Sequence, residues 1–218
     1  MIGGPLSILT LIPLSQVTEV KGKAAKVSSN FLKELDKLPH TFKLSMIPVA
    51  IFYLGNFTFM FFLLKTVSAL NLEESLAVTI ALYLWFNIFF AAASYPMGSL
   101  SDKWGRKKLI FVGYALFAIT CIGFAVASTL YAFILLFAFY GLFNAAIEGN
   151  EKAFAVDLAG KAKGTAVGAF YATEGVMMLP AGLIAGYLWD AFSPATTFFF
   201  GAFMSVLAML ALHIFVKT

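Results

Sequence analysis

The sequence predicts an all-α fold of six membrane-spanning helices. Three observations point to this class: the composition, the length of the apolar stretches and the placement of the lysines. Of 218 residues, 61% are hydrophobic and 12% are charged, and the mean hydropathy is +0.90. A soluble domain carries about 25% charged residues. We therefore expect a polytopic membrane protein whose first partner is the lipid bilayer.

Six apolar stretches are long enough to span a bilayer. A helix needs about 20 mostly apolar residues to cross the hydrocarbon core. None of the stretches shows the alternating pattern of a barrel strand, which excludes a β-barrel reading. The predicted spans are residues 44–69, 76–97, 109–128, 130–156, 165–189 and 195–216. Residues 44–218 are thus predicted to form a six-helix membrane region, preceded by a separate segment over residues 1–43.

The lysines and arginines predict the orientation. Of the 15 such residues, all except Lys65 fall on one side when the six spans are threaded through a membrane. Because cations near span ends are retained in the cytoplasm, we expect both termini to be cytoplasmic in a multi-pass protein of the cell membrane. The same loop charge accounts for the pI of about 9.1, so no nucleic-acid partner is expected.

The first 43 residues are the least regular part of the sequence. Residues 2–14 are apolar but are interrupted by Pro5 and Pro13 and are too short to span alone. Neither a preceding cationic region nor a cleavage site marks them as a signal peptide. We expect an interfacial segment or the remnant of a preceding helix. The lysine-rich residues 15–43 are predicted to be a cytoplasmic linker with one amphipathic helix over residues 29–37.

A short basic connector joins the second and third predicted spans. It reads Gly98-Ser99-Leu100-Ser101-Asp102-Lys103-Trp104-Gly105-Arg106-Lys107-Lys108. Gly98 and Gly105 permit close approach and a tight reversal. An acid such as Asp102 is favoured beside a helix amino terminus, and Arg106 can fork onto a carboxylate. The alternative is that these cations serve membrane topology alone.

This connector resembles the signature of the major facilitator superfamily, found between the second and third helices of each six-helix half. All positions of the pattern Gly98-x-Leu100-Ser101-Asp102-Lys103-x-Gly105-Arg106-Lys107-Lys108 match. Leu38-Pro39-x-x-Phe42-Lys43 and Gly149-Asn150-Glu151-Lys152 resemble the carboxy-terminal half of prokaryotic members. The likeness runs from about residue 38 to the end. It implies a secondary transporter that works by alternating access.

The resemblance also implies roles for single residues. Asp102 is expected to face the start of the fifth span, near Gly164 and Thr165, and Arg106 is expected to pair with Asp157. Together these contacts would form a latch that closes the cytoplasmic ends in one conformation. Members usually have twelve spans, so a six-helix half is expected to need a second half, either a separate chain or another copy of itself.

Two acids fall near the middle of the predicted membrane. At 1.5 Å per residue, Glu148 and Glu174 lie close to the centre of a core about 30 Å thick. A carboxylic acid withdrawn from water holds its proton more firmly, so either residue suits a proton carrier. The alternative for Glu148 is a structural pair with Lys152, four residues further along the helix. Glu151 is expected nearer the interface and outside the cavity.

Three asparagines lie at similar depths in the first, second and fourth spans. Asparagine amides bridge helices or bind a solute. We favour an interhelical bridge for Asn87. The resemblance implies that the first and fourth helices of a half line the cavity, which makes Asn56, Asn144 and Glu148 the candidate cavity residues, with Glu174 from the fifth span.

Glycines in the fifth span predict close helix packing. The pairs Gly164/Gly168 and Gly182/Gly186 have the spacing that lets two backbones approach, and Pro180 lies between the pairs. We expect tight contacts there and a fifth span that flexes.

Enzyme chemistry has little support in the sequence. There is one cysteine, Cys121, which is expected to pack as a small hydrophobe, and there are two histidines. No metal-ligand cluster, phosphate loop or nucleophilic triad is recognisable, so we expect no enzyme, no cofactor and no metal. The predicted function is transport of a small-molecule substrate, with protons as the candidate coupling ion. The alternative is a truncated or regulatory membrane protein that retains the half fold.

Overall fold

The computed structural model describes residues 31–71 and 76–216. All regular structure in these ranges is α-helical, which confirms the predicted fold class. The described residues from Leu35 onward belong to one compact unit, Leu35–Thr218. The segment predicted over residues 2–14 lies outside the described residues. The helix predicted over residues 29–37 is described as α1, Phe31–Asp36.

Six helical stretches in the described ranges are long and apolar enough to cross a membrane, as the sequence predicted. The first span consists of α2 (His40–Gly55) and α3 (Met60–Leu70), the second is α4 (Leu76–Trp104), the third is α5 (Arg106–Val126), the fourth consists of α6 (Leu130–Ile147) and α7 (Asn150–Leu158), the fifth is α8 (Lys163–Ala191) and the sixth is α9 (Pro194–Phe215). Local sequence explains several of the helix ends. Ser193 caps α9 by accepting the Thr196 N–H at 3.2 Å, and Pro194 begins that helix.

Two of the spans are interrupted within the bundle. Residues 56–59 separate α2 from α3 with irregular backbone, and residues 148–149 separate α6 from α7 while keeping right-handed helical dihedral angles. Irregular backbone is tolerated at membrane depth only where it is buried in protein or lines a cavity. Asn56 follows α2 directly and Glu148 follows α6 directly, so each interruption begins at a predicted cavity residue.

Aromatic side chains fill the centre of the bundle. The rings of Phe52 and Tyr114 stack with centroids 4.2 Å apart, and Phe62 contacts Phe124 edge-on at 5.0 Å. Ser205 on α9 donates its hydroxyl to the Tyr114 carbonyl at 2.7 Å. In lipid, helices associate through such packing and hydrogen bonds rather than through a hydrophobic driving force. Cys121 is fully buried in this core, as expected of a small hydrophobe.

The close helix contacts occur at other glycines than the sequence predicted. A Cβ on Gly141 would lie 2.7 Å from the Phe86 carbonyl oxygen, so α6 and α4 meet backbone to backbone there. In the fifth span, Gly164, Gly182 and Gly186 have no neighbour within 4 Å of a Cβ position among the described residues. The predicted contacts at these three glycines are therefore not made by the described residues.

The connector is shorter than its sequence suggested. Helix α4 continues through Gly98 and ends at Trp104, and α5 begins at Arg106. The chain reverses at Gly105, which has a φ of 90° that a residue with a side chain rarely adopts. The close approach expected at Gly98 is not made by the described residues, because a Cβ there would meet none of their atoms within 4 Å. Gly98 instead lies inside a helix that is longer than the predicted span.

Candidate functional site

A buried carboxyl group joins three spans inside the bundle. Glu151, in the first turn of α7, is 2% exposed. Tyr114 on α5 donates its hydroxyl to Glu151 Oε1 at 2.6 Å, and Tyr53 on α2 donates to Oε2 at 3.0 Å. The amino terminus of α7 adds a favourable dipole for a negative charge. The first, third and fourth spans thus meet at one titratable group.

The sequence interpretation placed Glu151 nearer the interface and did not foresee that its side chain is buried against Tyr53 and Tyr114. Its helical neighbours carried the missing signal. Phe154 and Ala155 stand three and four residues after Glu151 in α7, and both are buried. Residues at these spacings share a helix face with Glu151. The apolar face beside Glu151 was therefore visible in the sequence, whereas the two tyrosines that contact its carboxyl group come from other spans.

Three more charged side chains lie close to this carboxyl group. Glu174 comes from α8, and Glu148 and Lys152 flank Glu151 along the fourth span. Glu174 and Lys152 are near enough to Glu151 for their charges to interact, and Lys152 and Glu148 are near enough to Glu174 for the same. We call Glu148, Glu151 and Glu174 the acid cluster. The Lys152 ammonium group is near two of its members, Glu151 and Glu174.

The members of the acid cluster differ in their surroundings. Both oxygens of Glu151 accept hydrogen bonds from tyrosines. Within the described part of the chain, the buried Oε2 of Glu174 has no hydrogen-bond partner. Glu148 is exposed. The acid cluster therefore extends from a buried carboxyl group with hydrogen bonds to both oxygens, Glu151, to an exposed carboxyl group, Glu148.

The structural alternative for Glu148 is not what the structure shows. No direct ion pair joins Glu148 and Lys152 in the described ranges, and the interruption at residues 148–149 lies between them. The Lys152 ammonium group instead lies over the ring of Tyr171 on α8, 5.3 Å from its centroid. This cation–π contact connects the fourth and fifth spans beside the acid cluster.

The asparagines make local rather than interhelical hydrogen bonds. Asn87 donates to the Tyr83 carbonyl at 2.7 Å and Asn144 donates to the Tyr140 carbonyl at 2.9 Å, each within its own helix. The bridge expected for Asn87 is therefore not formed by its amide nitrogen. Asn144 also accepts the backbone N–H of Glu148 through its own carbonyl at 2.9 Å, one turn before the interruption. Asn56 is half-buried at the other interruption.

Of the predicted latch contacts, the structure forms one. Arg106 Nε lies 2.7 Å from Asp157 Oδ2, and the two side chains are 30% and 53% exposed. Asp102 is exposed and makes no hydrogen bond or ion pair within the described residues. It does not lie against Gly164, where the space is open to 4 Å. The reason is packing: α8 lies on α2, α9 and α7 and leaves α4 on another side of the bundle.

The second and fifth spans are the least covered parts of the bundle. The apolar windows of these spans are 11% and 17% buried, against 56% for the third and fourth spans. On α8, one stripe of the helix consists of Leu179, Gly182, Leu183 and Gly186, and both leucines are more than two-thirds exposed. We call this stripe the open flank. It lies on the same helix as Glu174.

Comparison with known proteins gives a consistent assignment. The model of the Major Facilitator Superfamily matches residues 46–218. An uncharacterized MFS-type transporter of Methanocaldococcus jannaschii is 41% identical over 216 residues, which cover 97% of this chain and 54% of the relative. A second uncharacterized MFS-type transporter of that organism is 26% identical over 145 residues, which cover 66% of this chain and 36% of the relative. The chain thus spans about half the length of the first relative and about a third of the second.

Proposed function

The chain belongs to the major facilitator superfamily, as its connector predicted, and on that premise we propose that it forms half of a carrier that moves a small solute across a membrane by alternating access. The observation that carries the proposal is the acid cluster, a group of ionisable side chains inside a bundle of apolar spans. Such groups are costly within a membrane and are kept there for function. The proposal is for a carrier and not for an enzyme.

The solute site is proposed at the two helix interruptions and the facing fifth span. Asn56 and Asn144 supply amide groups, and Glu148 and Glu174 supply carboxyl groups. Two features support this placement: Glu148 is exposed, and a buried oxygen of Glu174 has no partner in the described residues. Polar atoms left in this state are available to water or to a bound solute.

Protons are the proposed coupling ion. Three carboxyl groups beside one ammonium group repel one another, and this repulsion favours uptake of a proton or another cation. Glu151 is proposed as the inner proton-binding residue and Glu174 as the outer one. The Tyr53 hydroxyl interacts with the charges of Glu151, Glu174 and Glu148, which makes it the natural link between the two ends of the cluster.

A second six-helix half is the proposed partner. A lone half leaves Glu148 exposed beside lipid, where a charged side chain is unfavourable. The open flank, with space at Gly182 and Gly186, suits close packing against another helix bundle. The second half is either a separate chain or another copy of this one, in the same orientation, because such halves are related by an axis along the membrane normal.

The connector end is proposed to be cytoplasmic, together with both termini, in the cell membrane. In that orientation Arg106 and Asp157 form an ion pair at the cytoplasmic surface. Both side chains are partly exposed, so their pairing is weak enough to break and re-form during transport. We propose that this ion pair acts as a latch: it stabilises the conformation in which the cytoplasmic ends of the third and fourth spans are held together.

Reconstitution in vesicles tests the proposal. The purified chain is placed in vesicles that contain a pH-sensitive dye, and an acid-outside gradient is imposed. Sugars, amino acids and organic anions are then offered in turn as radiolabelled probes. One solute class is expected to accumulate only while the gradient persists and to speed acidification of the lumen. Native mass measurement on the same sample reports pairing. A paired complex that moves none of the probes would favour the regulatory alternative.

A further inference from the structure

A large groove opens at the connector end of the bundle, away from the acid cluster. Its volume is about 790 Å³, and its walls come from the start of α5, the end of α7 and the end of α9. The solute site proposed above involves residues from other positions on the first, fourth and fifth spans. The groove is therefore separate from that site.

The mouth of the groove is basic. Arg106, Lys107 and Lys108 line it, and Asp157 is the acid that lines it with them. Arg106 is paired with Asp157, and Lys107 donates to the Val216 carbonyl. Lys108 is exposed and has no hydrogen bond or ion pair in the described part of the chain. Three cations against one acid leave an excess of positive charge at the mouth.

The backbone adds to this positive field. Helix α5 begins at Arg106, and its N-cap residue, Gly105, offers no side-chain hydrogen bond. The first N–H groups of a helix have no partner within the helix, and the helix dipole favours an anion beside them. The guanidinium group of Arg106 also has five N–H donors, more than one carboxylate oxygen accepts. The mouth thus combines side-chain and main-chain donors for an oxyanion.

Deeper walls of the groove are apolar. Phe111 and Val112 lie about 9 Å along α5 from the start of the helix, and Phe154 and Leu158 face them from α7. Further along α5, Ile119, Ile122 and Val126 are exposed on the side that continues from Phe111. The groove therefore changes from cationic at the membrane surface to apolar toward the membrane interior.

We propose that this groove binds one anionic phospholipid, with the phosphate at the mouth and an acyl chain along α5. Charge complementarity selects the headgroup, because basic pockets between membrane helices bind anionic lipid headgroups. The apolar depth favours a lipid over free phosphate, because an acyl chain can pack against Phe111, Val112 and Phe154 and a phosphate ion cannot. The identity of the solute and the direction of transport do not enter the argument for this lipid site.

Native mass spectrometry of the whole chain in detergent micelles tests the proposal. Phosphatidylglycerol and phosphatidylcholine of equal chain length are titrated separately as probes. Retention of one phosphatidylglycerol molecule is expected at concentrations where phosphatidylcholine does not remain bound. Lys108→Gln is expected to weaken phosphatidylglycerol binding about fivefold, the loss typical of one lysine at a lipid headgroup.

Lys103→Gln is the matched control. Lys103 is an exposed cation of the same connector, but it does not line the groove. Both variants remove one surface charge, so general attraction to anionic lipid falls equally in the two. The groove proposal requires that Lys103→Gln keep binding within about twofold of the unmodified chain. Equal losses in the two variants would overturn it.

A second measurement separates a lipid from free phosphate. Inorganic phosphate and glycerol phosphate are added as competitors to the phosphatidylglycerol complex. We expect neither competitor to displace the lipid at millimolar concentration. We expect Val112→Asn to weaken lipid binding, because it places a polar amide in the apolar wall of the groove. Displacement by inorganic phosphate, together with an unchanged Val112→Asn variant, would identify a phosphate site and refute the lipid. Equal retention of phosphatidylcholine would also refute the proposal.

Discussion

The hydroxyl group of Tyr114 donates to Glu151 Oε1 at 2.6 Å, which joins the third span to the fourth through a buried carboxyl group. Tyr53 completes the arrangement from the first span at 3.0 Å. These three residues lie far apart in the sequence and are all buried. The contact places a carboxyl group, with both of its oxygens hydrogen-bonded, inside the aromatic core.

Removal of the Tyr114 hydroxyl group is expected to destabilise the protein. In Tyr114→Phe one buried oxygen of Glu151 loses its donor, and an unsatisfied buried polar group costs about 1–3 kcal/mol. Thermal unfolding in detergent, followed by circular dichroism, measures the loss. Tyr131→Phe is the control, because Tyr131 is 86% exposed. Equal unfolding temperatures for the two variants would mean that the Tyr114 contact contributes no stability.

On the proposed function, neutralisation of Glu151 is expected to uncouple transport from the proton gradient. Glu151→Gln keeps the size of the side chain but cannot exchange a proton, so gradient-driven accumulation should be lost while solute exchange across the vesicle membrane continues. Uptake with and without an imposed pH gradient distinguishes the two activities. Asp190→Asn, at an exposed acid beyond the cluster, should retain coupling. Undiminished gradient-driven uptake in Glu151→Gln would remove this residue from the proton path.

A methyl group at Gly141 is expected to disrupt the packing of the second and fourth spans. Its Cβ would lie 2.7 Å from the Phe86 carbonyl oxygen and 3.0 Å from the Phe90 nitrogen, both of which belong to backbone. Overpacking of this kind costs about 1–3 kcal/mol. Gly182→Ala is the matched control, since a Cβ there meets nothing within 4 Å. Thermal unfolding should separate the two variants, and a stable Gly141→Ala protein would contradict the observed crossing.

Asp157→Asn is expected to change conformation more than stability. An exposed ion pair contributes about 0–1 kcal/mol, so unfolding should shift little. Loss of the Arg106 contact should nevertheless favour opening between α5 and α7. Alkylation of a reporter cysteine at Ala155, which is 1% exposed, measures that opening, and the native Cys121 is too buried to interfere.

The charge-swapped pair provides the control for the latch. Arg106→Asp combined with Asp157→Arg restores the opposite charges at the same two positions. Alkylation at residue 155 should return toward the original rate in this double variant. A rate in Asp157→Asn that equals the rate in the unmodified chain would show that the ion pair does not hold the two ends together.

A bulky residue on the open flank is expected to prevent pairing of two halves. Gly186→Leu fills space that is empty within this chain, so the folded half should keep its unfolding temperature. Native mass measurement should then show fewer paired complexes than for the unmodified chain. Ile119→Phe, on the exposed side of the third span, adds similar bulk away from the flank and should leave pairing intact. Identical pairing of both variants would place the interface elsewhere.

The predictions from sequence were correct for features that depend on residues close together along the chain. Hydropathy and length identified six spans, and the connector around Gly105 identified the family. The predictions failed where the outcome depends on neighbouring helices. Gly182 and Gly186 have the spacing of a packing motif, but no helix within residues 31–71 and 76–216 packs on them. Gly141 has no glycine four residues before or after it in the sequence. It nevertheless makes a close backbone contact, because Phe86 and Phe90 of α4 lie directly beside it.

The sequence alone determined the number of spans, the all-α class and the charge asymmetry, because each depends on residues that are neighbours along the chain. The tertiary structure decided which acid is buried, where the spans break and which side of the bundle stays open. Glu151 and Glu148 are three residues apart, and their environments differ because Tyr53 and Tyr114 reach the first and not the second. That difference arises from the rotation and packing of three helices, which no stretch of sequence specifies by itself.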